Sequence, residues 1–396
     1  MQIAGIIAEY DPFHKGHAAH IAATRKAGAT HIVAVMDGGF TQRGEPALLT
    51  KWERTRMALA GGVDLVLELP VPWAMAPAEI FAAGGVALLH AMGCIHTLSF
   101  GSECGDVEVL CRVAEELDTP EHNALLQQGL RQGLSYAAAR QAAVAARCGR
   151  DVASLLEHPN NTLGLSYIRA ARQQGAPFAF YTFQRVGAGH DTDAARDGYA
   201  SAGMLRRAIR DGKDVSLYLP PEGAAILQEA LGKGLAPGDP TRLHSALLAH
   251  LRTLSLPKAE ALPYLSEGLH NRLYRSIRTA GSYDELMNKL VTKRYPAARL
   301  RRILWASLLQ IPAELPEQRP PYLRVLGMND RGREILAAAD PSLPFLSRPK
   351  QIAHMSEMAQ LVFRLEQKAT DLHGLTLPVP LPCGTDMTVK FSRNSG

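Results

Sequence analysis

The sequence predicts an α/β protein in which a doubly wound parallel sheet occupies the N-terminal half and a mostly helical domain follows. Over the first two hundred residues, short apolar strand patterns alternate with amphipathic helical patterns. The strand patterns are apolar throughout, which is typical of parallel strands covered by helices on both faces. After about Gly212, strand patterning nearly disappears and helical patterns punctuated by prolines take over. We therefore predict domains at residues 1–215 and 216–396.

The individual elements follow from the same patterns. Apolar runs bounded by turn-forming residues predict strands at 3–8, 31–36, 63–69, 95–100 and 178–183. Helical spacing predicts helices at 17–26, 51–60, 78–90 and 160–173, a helix-rich insertion at about 106–150, and a short strand-capable tail at 387–391. Ligands of doubly wound sheets bind at the carboxyl ends of the strands. Polar blocks at 14–17, 37–43, 101–103 and 184–189 follow four of the predicted strands, so we expect the site at that edge.

Bulk properties exclude several classes of protein. The chain has 396 residues, enough for two or three domains, and no apolar run long enough to span a membrane. Glu9 interrupts any candidate signal-peptide core. The five cysteines are odd in number and form no Cys-x-x-Cys pair, which favours free thiols in a reducing compartment over a zinc site. We predict a cytoplasmic protein with no membrane contact; the oligomeric state stays open.

The most informative motif directly follows the first predicted strand. His14 and His17 flank Gly16 where a turn at Asp11-Pro12 leads into a helix. A helix N-terminus offers unpaired N–H groups and a positive dipole end, so this turn is suited to phosphates. Paired histidines can also be ordinary surface residues or metal ligands. The sequence has no converging carboxylate or cysteine pattern nearby, so we predict phosphate binding and no metal site.

A basic stretch lies in the second half. Between Asn271 and Leu304 there are nine Lys or Arg residues against two acids, with aromatic residues interleaved. This pattern indicates contact with an RNA backbone; a solvated helical face with core aromatics is the alternative interpretation. The residues we assign to RNA binding are Arg272, Arg275, Lys293, Arg294, Arg299, Arg301 and Arg302.

The block His14-Lys-Gly-His17 resembles the His-x-Gly-His signature of the nucleotidylyltransferase superfamily. An ordered set of blocks over about three quarters of the chain resembles, more closely, the bacterial tRNA(Met) cytidine acetate ligase family. The blocks are Glu9-Tyr-Asp-Pro-Phe-His-Lys-Gly-His17, Gln42-Arg-Gly-Glu-Pro46, Lys51-Trp-Glu-Arg-Thr55, Gly62-Val-Asp-Leu-Val-Leu-Glu-Leu-Pro70, Phe100-Gly-Ser-Glu103, Pro159-Asn-Asn-Thr-Leu-Gly164 and, more weakly, Pro296-Ala-Ala-Arg-Leu-Arg-Arg-Ile303.

The resemblance implies a Rossmann-like nucleotidylyltransferase fold that binds ATP, with Mg²⁺ expected to accompany the triphosphate. It implies catalytic roles for His14, His17 and Arg206. The ATP-binding residues that it implies are Ile7, Ala8, Glu9, Tyr10, Asp11, Pro12, Phe13, His14, Lys15, Gly16, His17, Ala18, Ala19 and His20, together with Gly101, one of the pair Asn160 and Asn161, and Arg185. The implied partners are acetate and elongator tRNA(Met).

By resemblance, the enzyme joins acetate to AMP and then acetylates N4 of the wobble cytidine. The chemistry is reasonable because the cytosine amine is a weak nucleophile and acetate is a poor electrophile until it carries a good leaving group. Two other functions remain open at this stage. One is a small-molecule nucleotidylyltransferase, although such an enzyme has no use for a basic domain. The other is a non-catalytic RNA-binding protein with a degenerate nucleotide pocket.

Two acidic residues distinguish this chain from the family pattern. Asp11 stands where relatives carry Asn, and Asp37 begins a turn that is uncharged in relatives. Carboxylates near a triphosphate are unfavourable unless Mg²⁺ or a basic side chain compensates for them. The segment 201–206 keeps the first Ser and the Arg of a late superfamily signature but lacks the intermediate hydroxyls.

Overall fold

The computed structural model describes residues 1–185, 198–265, 268–389 and 392–393. The strands in these residues are β1 (Ile3–Ala8), β2 (His31–Asp37), β3 (Leu65–Leu69), β4 (Thr97–Ser102), β5 (Ala179–Gln184), β6 (Leu323–Met328), β7 (Phe345–Leu346) and β8 (Ser392–Arg393). The helices are α1 (Lys15–Lys26), α2 (Lys51–Ala60), α3 (Val71–Ala74), α4 (Ala78–Ala91), α5 (Val107–Leu117), α6 (Pro120–Arg131), α7 (Tyr136–Cys148), α8 (Arg150–Ser154), α9 (Pro159–Gln173), α10 (Ala202–Arg210), α11 (Pro221–Gly232), α12 (His244–Arg252), α13 (Leu256–Glu260), α14 (Leu269–Thr279), α15 (Tyr283–Leu290), α16 (Ala297–Leu309), α17 (Asp330–Ala338), α18 (Glu357–Gly374) and α19 (Thr385–Thr388).

The strands form one sheet in the order β5-β4-β1-β2-β3-β6-β7, and β8 also pairs with β6. The pairings among β1 to β5 are all parallel, while β3 and β6 are antiparallel. The strand order reverses beside β1, because β2 and β3 lie on one side of it and β4 and β5 on the other. The predicted doubly wound parallel sheet is therefore confirmed, and ligands of such sheets bind where the strand order reverses, which here is at the carboxyl ends of β1 and β4.

Side chains of alternate residues along each central strand pack on opposite faces of the sheet. Ile3 and Ile7 of β1 belong to one hydrophobic core, whereas Ile6 belongs to the other. The first core also contains residues of α4, α5 and α9, and it continues into α12 and into α14 to α18. The second core contains residues of α2, α10 and α11. This two-sided burial explains why the strands have no polar face.

The C-terminal half is mostly helical, as predicted, but the sequence did not predict β6. This strand reads Leu-Arg-Val-Leu-Gly-Met, and Arg324 at its second position breaks the apolar pattern of a buried strand. The boundary at residue 215 stays a prediction, although the chain beyond it supplies β6, β7 and β8 to the same sheet. The strand predicted at 387–391 is wrong for its first residues, because Met387 and Thr388 end helix α19. Residues 390 and 391 lie outside the described residues.

A buried cluster of charges joins the two halves. The ammonium of Lys51 lies 2.6 Å from Glu68 and 2.9 Å from Asp386. Arg324 donates to both acids, at 2.8 Å to Glu68 and 2.6 Å to Asp386. Lys51 and Arg324 thus balance the charges of Glu68 and Asp386, while burial and the charge of Glu68 raise the pKa of nearby Glu366 well above its usual range. The cluster compensates the charge that β6 carries into the core.

The predicted insertion is helical and consists of α5, α6 and α7. All five cysteines are free thiols. Among the described residues, no helix is both long enough and apolar enough to cross a membrane.

Candidate active site

His14 and His17 lie at the N-terminus of α1. His14 is the N-cap residue, and its Nδ1 accepts the backbone N–H of Gly16 at 3.0 Å. In return, Nδ1 of His17 accepts the backbone N–H of His14 at 3.2 Å. The two imidazoles thus form a reciprocal capping box. A Cβ on Gly16 would lie 2.9 Å from the ring of His14, so glycine at this position lets the ring fold back over the helix start.

Both rings are neutral and present a donor. Because each Nδ1 is an acceptor, each proton resides on Nε2, which is left available as an N–H donor. The rings are stacked with their centroids 3.7 Å apart. Burial lowers the pKa of His14 to about 3, assisted by the charges of Arg185 and Arg206. Burial and a neighbouring imidazolium would likewise hold the pKa of His17 well below its ordinary value. The pair can donate hydrogen bonds without carrying charge of its own.

His20 connects α1 to β4. Its Nε2 lies 2.8 Å from the hydroxyl of Ser99, which in turn lies 2.7 Å from the hydroxyl of Thr24. Thr24 uses its hydroxyl proton to donate to the backbone carbonyl of His20. The hydroxyl of Ser99 must therefore donate to Thr24, and Nε2 of His20 must donate to Ser99. His20 is therefore occupied in holding the helix against the sheet, and burial lowers its pKa to about 4.

Arg206 reaches the β1 turn from α10. Ser201, the retained serine of the late signature, caps this helix by accepting the N–H of Met204. Arg206 is buried and donates to the backbone carbonyl of Asp11 at 2.8 Å, and it lies 3.9 Å from the Asp11 carboxylate. The other carboxylate oxygen of Asp11 accepts the N–H of Leu48 at 2.8 Å. A basic side chain and a backbone donor thus compensate the charge of Asp11.

Asp37 is paired with a basic side chain that the sequence did not single out, although burial still raises the pKa of this carboxyl well above its usual range. Arg54 is fully buried on α2 and lies 2.5 Å from Asp37. The same guanidinium donates to the backbone carbonyls of Glu9 at 2.6 Å and of Gly38. Arg54 therefore ties the end of β1 to the end of β2. Its place in the 51–55 block was the available signal, because an arginine inside an amphipathic helix pattern otherwise indicates a surface residue.

The end of β4 meets the start of α9 through one carboxylate. Glu103 accepts the backbone N–H groups of Asn160 and Asn161 and the side-chain amide of Asn160, at 3.2, 2.8 and 2.6 Å. The amide oxygen of Asn161 accepts the N–H groups of Glu103 and Cys104. Asn161 is fully buried with these structural partners, so Asn160 is the member of the pair that lies nearer the surface.

Gly101 and Arg185 lie side by side at the ends of β4 and β5. A Cβ on Gly101 would come within 3.3 Å of Cγ of Arg185. Partial desolvation lowers the pKa of Arg185; Glu103 opposes this shift and the charge of Arg43 adds to it. The four predicted blocks do converge on one edge of the sheet. Residues 186–189 of the last block lie outside the described residues.

The chain matches the family described as HIGH nucleotidyl transferase over residues 1–381. It is 34% identical to the tRNA(Met) cytidine acetate ligase of Acetivibrio thermocellus over 392 residues, with 94% of each chain covered. It is 38% identical to the protein of the same name from Syntrophotalea carbinolica over 403 residues, with 96% of this chain and 95% of the relative covered. The chain belongs to the tRNA(Met) cytidine acetate ligase family.

Solved structures of this family agree with the fold. The crystal structure of apo Thermotoga maritima TmcAL superimposes with a TM-score of 0.94 at 31% identity, and all of both chains is covered. The structure of the same protein bound with alpha-thio ATP gives a TM-score of 0.92. The family and fold class predicted from the motifs are therefore confirmed.

The remaining residues of the family's ATP segment divide by position. Ile7, Tyr10 and Phe13 are buried in the two cores, so they support the turn from the interior of the protein. Tyr10 has a φ of 49°, a conformation that is uncommon outside glycine. Pro12 is also buried, whereas Lys15 is exposed. Ala8, Glu9, Ala18 and Ala19 are half-buried. Their contact with ATP stays a prediction.

The predicted RNA-binding residues do not form one equivalent set. Arg272 and Arg275 are exposed on α14, and Lys293 and Arg294 are exposed between α15 and α16. Arg299, Arg301 and Arg302 lie on α16 and are half-buried. Arg301 lies 3.0 Å from Glu45, and Arg302 donates to the carbonyl of Gln42 at 3.1 Å. Arg301 and Arg302, two of the seven predicted residues, thus contact the loop after β2.

Proposed function

We propose that this protein activates acetate with ATP and transfers the acetyl group to N4 of the wobble cytidine of elongator tRNA(Met). The observation that carries the proposal is the pair of Nε2–H donors of His14 and His17 at the N-terminus of α1, beside the point where the strand order reverses. Its membership in the tRNA(Met) cytidine acetate ligase family supports the choice of substrate. A tRNA substrate makes the cytoplasm the expected compartment.

In the first step, an acetate oxygen attacks the α-phosphorus of ATP and the bond to pyrophosphate breaks. The product is acetyl-adenylate, and the electron pair of the broken bond leaves with pyrophosphate. The chain has little covalent chemistry to perform, so positioning and charge stabilisation dominate. His14 and His17 donate to the developing phosphate charge, while Arg185 and Arg206 add positive potential. Because both imidazoles are neutral before ATP binds, we expect ATP binding and release to require no change in their protonation.

In the second step, the exocyclic N4 of cytosine attacks the acetyl carbonyl carbon and the bond to AMP breaks. One N4 proton is released to solvent as the amide forms. A base in an anticodon loop can be presented at low unstacking cost. The exposed basic residues of α14 and of the 293–294 segment are the ones we assign to the tRNA backbone.

Mg²⁺ remains part of the proposal as a companion of the triphosphate. Asp11 and Asp37 already have partners within the protein. Among the described residues, no three His, Cys, Asp or Glu side chains converge to hold a metal ion. An ion would therefore depend on the phosphates and water for most of its ligands.

The test is incubation with ATP, radiolabelled acetate and total bacterial tRNA, followed by nucleoside analysis. Labelled N4-acetylcytidine in tRNA(Met) is the expected product. Omitting tRNA should still give acetate-dependent AMP and pyrophosphate if the two half-reactions are separable. Loss of that partial reaction without tRNA would indicate that tRNA completes the site.

Other outcomes would contradict the proposal. Pyrophosphate release that is equally fast without acetate, with no acetyl-AMP, would favour a small-molecule nucleotidylyltransferase. Binding of tRNA without any turnover would favour an RNA-binding protein with a degenerate pocket.

A further inference from the structure

The segment 41–45 follows β2 and forms a compact loop, here called the arginine loop. Thr41 donates its N–H to the carbonyl of Glu45 at 3.0 Å, and Gly44 donates to the carbonyl of Thr41 at 2.9 Å. Gly44 has a φ of 74°, which disfavours a side chain. A Cβ there would also lie 2.5 Å from the backbone nitrogen of Arg302. The loop is therefore shaped to press its backbone against α16.

Two arginines of α16 hold this loop. Arg302 donates to the carbonyl of Gln42 at 3.1 Å, and Arg301 donates to the carbonyl of Arg43 at 3.3 Å. Arg301 also forms an ion pair with Glu45 at 3.0 Å. Both ends of the loop are thus fixed from the C-terminal half. Arg43 lies between Gln42 and Glu45, and its own backbone carbonyl is one of these contacts.

Arg43 extends from the loop toward the nucleotide segment. Its Nε lies 3.8 Å from a carboxylate oxygen of Glu9, and a quarter of each side chain is exposed to solvent. The charge of Arg43 is felt by Arg185, and the charges of Arg185 and Arg206 are felt by His14. Arg43 beside Glu9, Arg206 beside Asp11 and Arg185 beside Gly101 therefore lie at the same edge of the sheet as the two imidazoles, where a bound anion would reduce their mutual repulsion.

We propose that Arg43 is a further substrate-binding residue that holds an oxyanion of the reaction, and that Arg301 and Arg302 position it. The oxyanion is either an ATP phosphate or the acetate carboxylate, both of which suit a planar guanidinium. The proposal rests on the proposed function for the identity of these substrates. It also gives α16 a role in the first half-reaction, in addition to the RNA contact predicted for this helix.

The test compares Arg43→Ala and Arg43→Lys with Arg333→Ala. Arg333 is an exposed residue of α17. This helix follows β6, which is antiparallel to β3, so Arg333 lies at the edge of the sheet opposite to the candidate site. ATP affinity is measured by calorimetric titration, and the KM for acetate by AMP formation without tRNA. Arg43→Ala should weaken one of these constants by about tenfold or more, since a charge-assisted hydrogen bond is lost. Arg43→Lys should recover part of it, and the thermal midpoint should not change.

The two arms identify the ligand. A weaker ATP affinity indicates a phosphate contact, whereas a raised acetate KM with unchanged ATP affinity indicates the carboxylate. Changes below about twofold in both constants would overturn the proposal. So would a loss confined to tRNA affinity, because Arg43 would then be an RNA contact.

The positioning role is tested with Arg301→Ala and Arg301→Lys in the same tRNA-free assay. We expect Arg301→Ala to weaken the same constant as Arg43→Ala, in the same direction and by less, with recovery in Arg301→Lys. An effect of Arg301→Ala on tRNA affinity alone would contradict positioning. If the unaltered protein makes no acetate-dependent AMP even when tRNA is present, the proposed function fails; the role of Arg43 is then decided by ATP affinity alone.

Discussion

The imidazoles of His14 and His17 are stacked 3.7 Å apart, and their Nδ1 atoms accept the backbone N–H groups of Gly16 and His14, respectively. One relationship therefore fixes the helix start, the tautomers and the direction of the two Nε2 donors. Substitution can separate helix capping from hydrogen-bond donation to a substrate, because Nδ1 caps the helix and Nε2 carries the available donor.

His14→Asn should abolish most activity while preserving the fold. Asparagine is a good N-cap and can place its amide oxygen near the position of Nδ1, but it has no equivalent of Nε2–H. We expect adenylate formation to fall by about a hundredfold or more with unfolding free energy nearly unchanged. His14→Ala should lose the same activity and also about 1 kcal/mol of stability. Normal adenylate formation by soluble His14→Asn would contradict the catalytic role.

Stability should decline in mild acid. Burial and nearby arginines lower the pKa of His14 to about 3, and burial lowers that of His20 to about 4. The unfolded chain takes up these protons near pH 6.5, so the stabilisation is complete above about pH 6.5 and is lost as the pH falls toward 3 to 4. At pH 5.5 the loss should be on the order of 1 kcal/mol for each histidine. Urea unfolding at several pH values measures it.

The matched variant for this pH dependence is His14→Asn combined with His20→Gln, in which neither side chain titrates. Its stability should vary less between neutral and mildly acidic pH than that of the unaltered protein. Equal slopes for the two proteins would assign the acid sensitivity to other groups.

Arg324→Met should strongly destabilise the fold. Arg324 is buried in β6 and neutralises Glu68 and Asp386, so its removal leaves uncompensated carboxylates in the core. We expect a loss of about 3–5 kcal/mol in urea unfolding. Arg333→Ala, which removes an exposed pair with Asp330, should cost less than about 1 kcal/mol. A loss for Arg324→Met as small as that of this control would show that the cluster stabilises little.

Binding of tRNA should weaken steeply with salt through the exposed basic residues. Arg275→Ala and Lys293→Ala should each reduce the log–log slope by about 0.9 for a duplex-like contact or about 0.7 for a single-stranded one. ATP affinity should not change, since both residues are exposed and the arginine loop is held by Arg301 and Arg302 instead. Fluorescence anisotropy with tRNA(Met) over a salt series measures the slope. Slopes identical to those of the unaltered protein and of Arg333→Ala would remove these residues from the interface.

The first five strands were predictable because their signal is local. Runs such as Ile3–Ala8 are apolar along their whole length, and the observed bounds of β1 and α2 coincide with the predicted ones. Strand β6 carries no such signal, because Arg324 interrupts the run. Its burial depends on Glu68 and Asp386, which are distant in sequence and meet it only in the folded chain.

The candidate site divides in the same manner. The His14–His17 turn could be recognised from its spacing, since a capping pair three residues apart is a property of one helical turn. Arg54, Arg43 and the compensation of Asp37 could not be inferred, because they depend on contacts between the ends of neighbouring strands and helices.

Local pattern thus determined the first five strands, the helices between them and the turn that we predict to bind phosphate, while tertiary structure decided which charges are paired within the core and which lie at the candidate site. Arg301 and Arg302 illustrate the difference: a basic run indicates RNA, yet packing places both against the loop that carries Arg43. Periodicity records which side of an element is buried. The partner of a charged side chain is set by long-range chain geometry, which the spacing of residues along the chain does not encode.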